Sequence, residues 1–126
     1  MFLRFVTTRI DEASRKPQGL FQVIYSLLKS GDLSSEEWER AREILDWFER
    51  ELPAPSGKFD APRAIFWFRS GAEESIKQIW DLVYLVREHG YHVEVHKCRK
   101  LVNICYSDRL QIAAYPSEHD ARITIQ

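Results

Sequence analysis

A chain of 126 residues, 44% hydrophobic and 13% aromatic, is long enough for one domain with its own core and needs no covalent staples. Eighteen Lys and Arg against nineteen Asp and Glu leave a net charge of −1, which excludes a protein drawn to nucleic acid or membrane by its overall field. Two cysteines, Cys98 and Cys105, are too few for a disulfide framework and lack zinc-knuckle spacing, and no apolar run reaches the ~20 residues of a membrane span.

Taken in order, Phe2–Arg9 is rich in β-branched and aromatic residues and reads as a strand. It is too short and too interrupted by Arg to be a secretory signal, so a cytoplasmic protein is expected. Asp11–Lys16 reads as a polar loop, and Pro17 stands where a helix over about residues 18–29 can open. Leu20, Phe21, Ile24, Leu27 and Leu28 form its apolar stripe, and Gly31 is the expected left-handed stop. A second helix is announced by capping-box spacing at Ser34 and Glu37 and by a Leu33/Trp38 staple. Trp38, Ala41, Leu45, Phe48 and Leu52 make its apolar line, with Glu36–Arg40 and Asp46–Arg50 expected to pair outside. Pro53 and Pro55 end it, and the short connection before it makes the two helices an αα-hairpin. Residues 32–52 carry eight acidic and three basic groups, so this is no DNA-reading helix-turn-helix.

After a connector at residues 54–63, Ala64–Lys97 reads as one strand–helix–strand unit. Ile65–Phe68 is apolar on both faces, as in a covered interior strand. Ser70 and Glu73 have capping-box spacing. Ile76, Ile79, Trp80, Val83 and Val86 line the helix, His89-Gly90 closes it, and Tyr91–Lys97 is the following strand. The simplest connection is a right-handed crossover between parallel strands. Leu101–Tyr106 and Leu110–Tyr115 form a hairpin around Ser107-Asp108-Arg109, and Arg122–Gln126 is a short terminal strand. The expected fold is a single α+β domain over residues 1–126: a mixed sheet of five or six strands, an αα-hairpin and one crossover helix. Its order is β-α-α-β-α-β-β-β plus the terminal strand.

Three surfaces carry possible chemistry. His92, Glu94, His96 and Cys98 alternate along one strand face and are good donors for a divalent transition metal. Only neighbours two apart can share an ion, since positions four apart lie ~13 Å from each other. Further ligands must then come from elsewhere, with Asp108, His119 and Asp120 as candidates; a solvent-facing polar strand face explains the same pattern. His92-Val93-Glu94 matches the H-x-E of zinc nucleobase deaminases, but the partner P-C-x-x-C is missing. Lys97, Arg99 and Lys100 form a basic turn able to hold an anion or a nucleic-acid strand. Trp47, beside Glu39 and Glu43 on the acidic helix, is the aromatic most available to a protein partner. No Walker loop, G-x-G-x-x-G or G-x-S-x-G is present, and neither cysteine carries a nucleophile signature.

Gly19-Leu20-Phe21 with Tyr25, Ser30-Gly31 with Leu33, Trp47-Phe48 through Leu52-Pro53, Trp67-Phe68, His89-Gly90 and Tyr106–Pro116 together resemble a set of small uncharacterised bacterial proteins of about this length. The resemblance implies a bacterial or phage cytoplasmic origin and carries no activity with it. The expected function is a binding or regulatory protein, without cofactor, that engages another protein or itself. The alternatives are a nucleic-acid- or nucleotide-associated protein using the turn at 97–100, and a metal-dependent enzyme built on the His92–Cys98 strand.

Overall fold

In the computed structural model, which describes residues 1–10, 15, 17–55, 57, 59, 63–116 and 122–125, the chain runs β1 (Phe2–Ile10), β2 (Pro17–Gly19), α1 (Leu20–Ser30), α2 (Ser35–Glu51), β3 (Ile65–Arg69), α3 (Glu73–Glu88), β4 (Val93–Cys98), β5 (Ile104–Ser107), β6 (Gln111–Ala114) and β7 (Arg122–Ile125). This is the α+β order read from the sequence, with one addition. Pro17 does not start a helix. Pro17–Gly19 pairs with β1 as the three-residue strand β2, and Gly19 in extended backbone is the N-cap of α1.

The other helix ends follow local chemistry. Gly31 closes α1 at φ 81° and Gly90 follows α3 at φ 87°, a region that costs an L side chain energy. The α2 capping box forms: Ser34 Oγ accepts from Glu37 N at 3.1 Å, and Glu37 Oε1 accepts from Ser34 N at 3.0 Å. The box expected at Ser70 and Glu73 does not, because Ser70 lies in the turn and Ala72, which has no side-chain acceptor, is the N-cap of α3. Trp38 is 42% exposed rather than in the core, its Nε1 donating to Leu28 O at 3.3 Å across the hairpin. The ion pairs also differ from expectation. Arg42 bonds Asp46 and Glu49 along α2, and Arg40 reaches Asp81 on α3.

The sheet order is β5-β6-β3-β1-β4-β7, with β2 beside the outer half of β1, and each of these pairings is antiparallel. β3 and β4 therefore run in the same direction, as a crossover requires, but β1 lies between them. The α3 connection is a split β-α-β unit rather than a pairing of neighbouring parallel strands.

Period-two alternation divides the sheet between two cores. Leu3, Phe5, Phe68, Val93 and Val95 face the three helices, meeting Ile24, Leu45, Phe48, Ile79, Leu82 and Val86. The opposite face carries Ile65, Trp67, Cys98, Ile112 and Ala114, and among the described residues no helix joins this cluster. Leu101, from the connection between β4 and β5, closes this second core, in which Trp67 is 1% exposed. Ile65–Phe68 is thus covered on both sides, as its run of apolar residues predicts. No helix among the described residues is long and apolar enough to cross a membrane.

Candidate binding cleft

The two partners on one side of β1 leave a gap between them. Phe2 and Leu3 are in register with Arg69 and Phe68 of β3, while Val6 and Ile10 are in register with Gly19 and Pro17 of β2. Opposite Arg4 and Phe5 the sheet is split. The first turns of α1 and the last turns of α2 stand over this split, and between them lies a cleft of about 820 Å3. Its walls are Leu20, Phe21 and Tyr25 of α1, Leu45, Phe48 and Leu52 of α2, and Phe5, Phe66, Trp67 and Phe68 of the sheet. Phe48 anchors the roof, meeting Phe21 edge-on at 5.1 Å and Trp47 edge-on at 5.0 Å.

Among the described residues, Arg4, Gln22, Glu49 and Gln111 interrupt this lining. Arg4 is 8% exposed and its Nη2 donates to Pro17 O at 2.6 Å. Gln22 Oε1 accepts from Gly19 N at 2.9 Å, steadying the start of α1. Gln111 Nε2 donates to Pro53 O at 3.1 Å, tying the end of the helical hairpin to β6. Glu49 lies at the open rim, paired with Arg42 at 3.3 Å. A mainly apolar concavity with a few fixed polar groups is the usual form of a small-ligand site.

Sequence reading did not find this site. Its one signal is Arg4, a cation inside the apolar run Phe2-Leu3-Arg4-Phe5-Val6. The rest depends on where β2 and β3 meet β1, which no local pattern specifies.

The His92–Cys98 face is assembled as alternation predicts, but it does not all face solvent. Its side chains descend from His92, 50% exposed, through Glu94 at 27% to His96 at 11%, and Cys98 is buried. Glu94 sits between the imidazoles, Oε1 3.4 Å from His92 Nε2 and Oε2 3.1 Å from His96 Nε2. The hydrogen bond to His96, opposed by burial and helped by the charge interaction, holds the Glu94 carboxyl below its ordinary range. His96 Nδ1 is buried without a hydrogen-bond partner, and Cys98 Sγ donates to Lys100 O at 2.9 Å. The three residues are spent on one another as an imidazole–carboxylate–imidazole ladder. Among the described residues no three His, Cys, Asp or Glu converge to hold a metal ion.

Asp108, considered as a distant ligand, is committed to its own hairpin. Its Oδ1 accepts from Leu110 N and Gln111 N, and its Oδ2 accepts from Tyr106 Oη at 2.6 Å. Burial pushes this carboxyl up, but these bonds outweigh it and leave it below the ordinary range, while Tyr106 is raised by the same contact. His119 and Asp120 lie outside the described residues.

The basic turn is split between faces. Lys97 is in register with Leu3 on the helix side, whereas Arg99 and Lys100 are exposed on the turn. Trp47 is half-buried, with Glu39 and Glu43 exposed beside it. Trp47 and Glu43 line a polar groove between α2 and α3 with Arg40, Asp46, Arg50 and Asp81, while Glu39 stands outside it. Comparison with protein-family models, curated proteins and solved structures returns no match to this chain.

Proposed function

We propose that this protein is a small-ligand-binding domain, its ligand held in the cleft between the α1–α2 hairpin and the split edge of β1. The cleft of about 820 Å3 carries this reading. Pockets that enclose drug-sized molecules run to about 300–1,000 Å3 and have this kind of lining. Among the described residues, the Glu94 and Asp108 clusters are consumed by hydrogen bonds within their own strand and hairpin, which fits a binding or regulatory role.

Titration with a neutral solvatochromic naphthalene probe tests it. One saturable site is expected, weakened about tenfold or more by Ala64→Trp, which places an indole at the cleft wall. Non-saturable binding, or binding indifferent to Ala64→Trp, refutes it.

A protein partner is the second reading, favoured by Trp47 and Glu43 lining the same groove. Trp47→Ala would then abolish pull-down of that partner, or self-association. Retained association refutes it. The nucleic-acid reading has less support. The exposed apolar residues after Arg99 and Lys100 are Val102 and Ile104, which offer no ring on which a base can stack.

A further inference from the structure

Resting on the cleft reading, we infer that the ligand is an uncharged molecule whose body is an aromatic ring system. The charges of the cleft carry the first half of this. Among the described lining residues, those that bear charge are Arg4 and Glu49. Glu49 is 62% exposed at the rim and faces Arg42, so its charge is spent outside. Arg4, on the inner wall and 8% exposed, donates to Pro17 O at 2.6 Å and has a further partner besides. It is committed to the fold rather than held open for an anion, and its positive charge opposes a cation in the same space. The amides are committed as well: Gln22 Oε1 accepts from Gly19 N, and Gln111 Nε2 donates to Pro53 O and to Asp108 Oδ2. An ion of either sign would shed its water here without an uncommitted counter-charge to receive it, a cost that an uncharged ligand escapes.

The rings of the lining carry the second half. About a third of the described lining residues are aromatic, against 13% of the chain, so rings are concentrated at this site. Phe21, Phe48 and Phe68 form a triangle, with centroids 5.1, 6.1 and 6.5 Å apart and planes at 89°, 41° and 50° to one another. Rings set at such different angles offer edges as well as faces, and a planar aromatic guest gains from both beyond what its buried area supplies. A rigid ring system also surrenders less internal freedom on binding than a flexible chain. The mouth, where Tyr25 is 41% exposed, leaves water for a neutral polar substituent.

Competition against the neutral naphthalene probe separates this inference from the reading beneath it. Charge is tested on one ring system at neutral pH, with naphthaleneethanol uncharged, naphthaleneacetate an anion and naphthaleneethylamine a cation. The alcohol is expected to displace the probe about tenfold more tightly than either ion. Aromaticity is tested with decahydronaphthaleneethanol, the saturated counterpart, which is the more hydrophobic and would bind more tightly if burial of carbon alone decided. It is expected to bind about threefold more weakly than naphthaleneethanol. Phe21→Leu keeps carbon at that wall and removes the ring, so it should erase the preference for the aromatic alcohol while keeping the discrimination against ions. Should Phe21→Leu fail to fold, shown by loss of cooperative thermal unfolding, the two alcohols on the wild-type protein decide alone. Either ion binding as tightly as naphthaleneethanol overturns the inference and leaves the cleft standing. So does a saturated alcohol that binds as tightly as the aromatic one, or an aromatic preference unmoved by Phe21→Leu. Failure of all four compounds to displace the probe overturns both.

Discussion

Replacing Leu101 with Ala should cost as much stability as a substitution in a central helix, although Leu101 lies in a connection. The segment leaves β4 at Cys98 and enters β5 at Ile104, and the strands between those two are β1, β3 and β6. The connection bends at Arg99 and again at Asn103, whose φ is 58°. It lays Leu101, 6% exposed, against Ile65, Trp67, Cys98 and Ile112 on the face opposite the helices. Leu→Ala removes three carbons, worth roughly 2.4 kcal/mol at about 0.8 per methylene, and the unfilled space raises this to about 3 kcal/mol. In urea, with a slope near 2 kcal/mol per molar, the unfolding midpoint should fall by about 1.5 M. Val102→Ala, one residue on but 39% exposed, should cost less than about 0.5 kcal/mol. Equal midpoints for the two variants would show that this segment does not close the second core.

Four further outcomes follow from local geometry. Ser34→Ala should lose about 1 kcal/mol through its cap, read by thermal unfolding, with a neutral result counting against it. Glu37 is held below its ordinary pKa, chiefly by the Ser34 backbone N–H and then by His89 at 2.8 Å. Its charge contributes stability that is complete above the ordinary carboxylate pKa and is lost as pH falls through the lowered value. The melting-temperature gap between wild type and Glu37→Gln should therefore close in acid, and a gap constant with pH would contradict this. For Asp108→Asn, alkaline absorbance titration should show the Tyr106 phenol, now raised by its bond to Asp108, ionising at lower pH than in wild type. Tyr106→Phe identifies the signal, and an unmoved titration refutes the assignment. Gly31→Ala and Gly90→Ala meet nothing within 4 Å, so their cost is backbone strain alone, about 1 kcal/mol each by urea unfolding. No loss at either would refute that account.

Much of the architecture was legible because short-range rules set it. The Ser34–Glu37 box, the Gly31 and Gly90 stops, the apolar line of α3 and the turn around Asp108 each depend on residues within a few positions of one another. Reading went astray where a local preference met a tertiary one. Pro17 suits a helix start, yet the chain continues as a strand because β1 offers an edge for Gly19 and Pro17 to pair with. Ser70 has cap spacing, but the turn after β3 places Ala72 at the helix start instead. Trp38 has staple spacing, but its indole N–H finds Leu28 O across the hairpin and the ring stays half out. At the His92–Cys98 face, alternation named the residues correctly and missed their burial, because the β1 side chains beside them belong to a strand some ninety residues earlier.

The sequence by itself determined the type and order of the main elements, since periodicity and caps act over one or two turns. It also separated Val93 and Val95 from His92, Glu94, His96 and Cys98 on the two faces of β4. Only the tertiary structure decided that β1 lies between β3 and β4, that β2 and β3 share one side of β1, and that a cleft opens between them beside Arg4. Strand pairing is set by the joint burial of two faces across long stretches of chain, and a gap between two such pairings has no local code. The proposed site therefore lies in the part of the molecule that the sequence alone left unwritten.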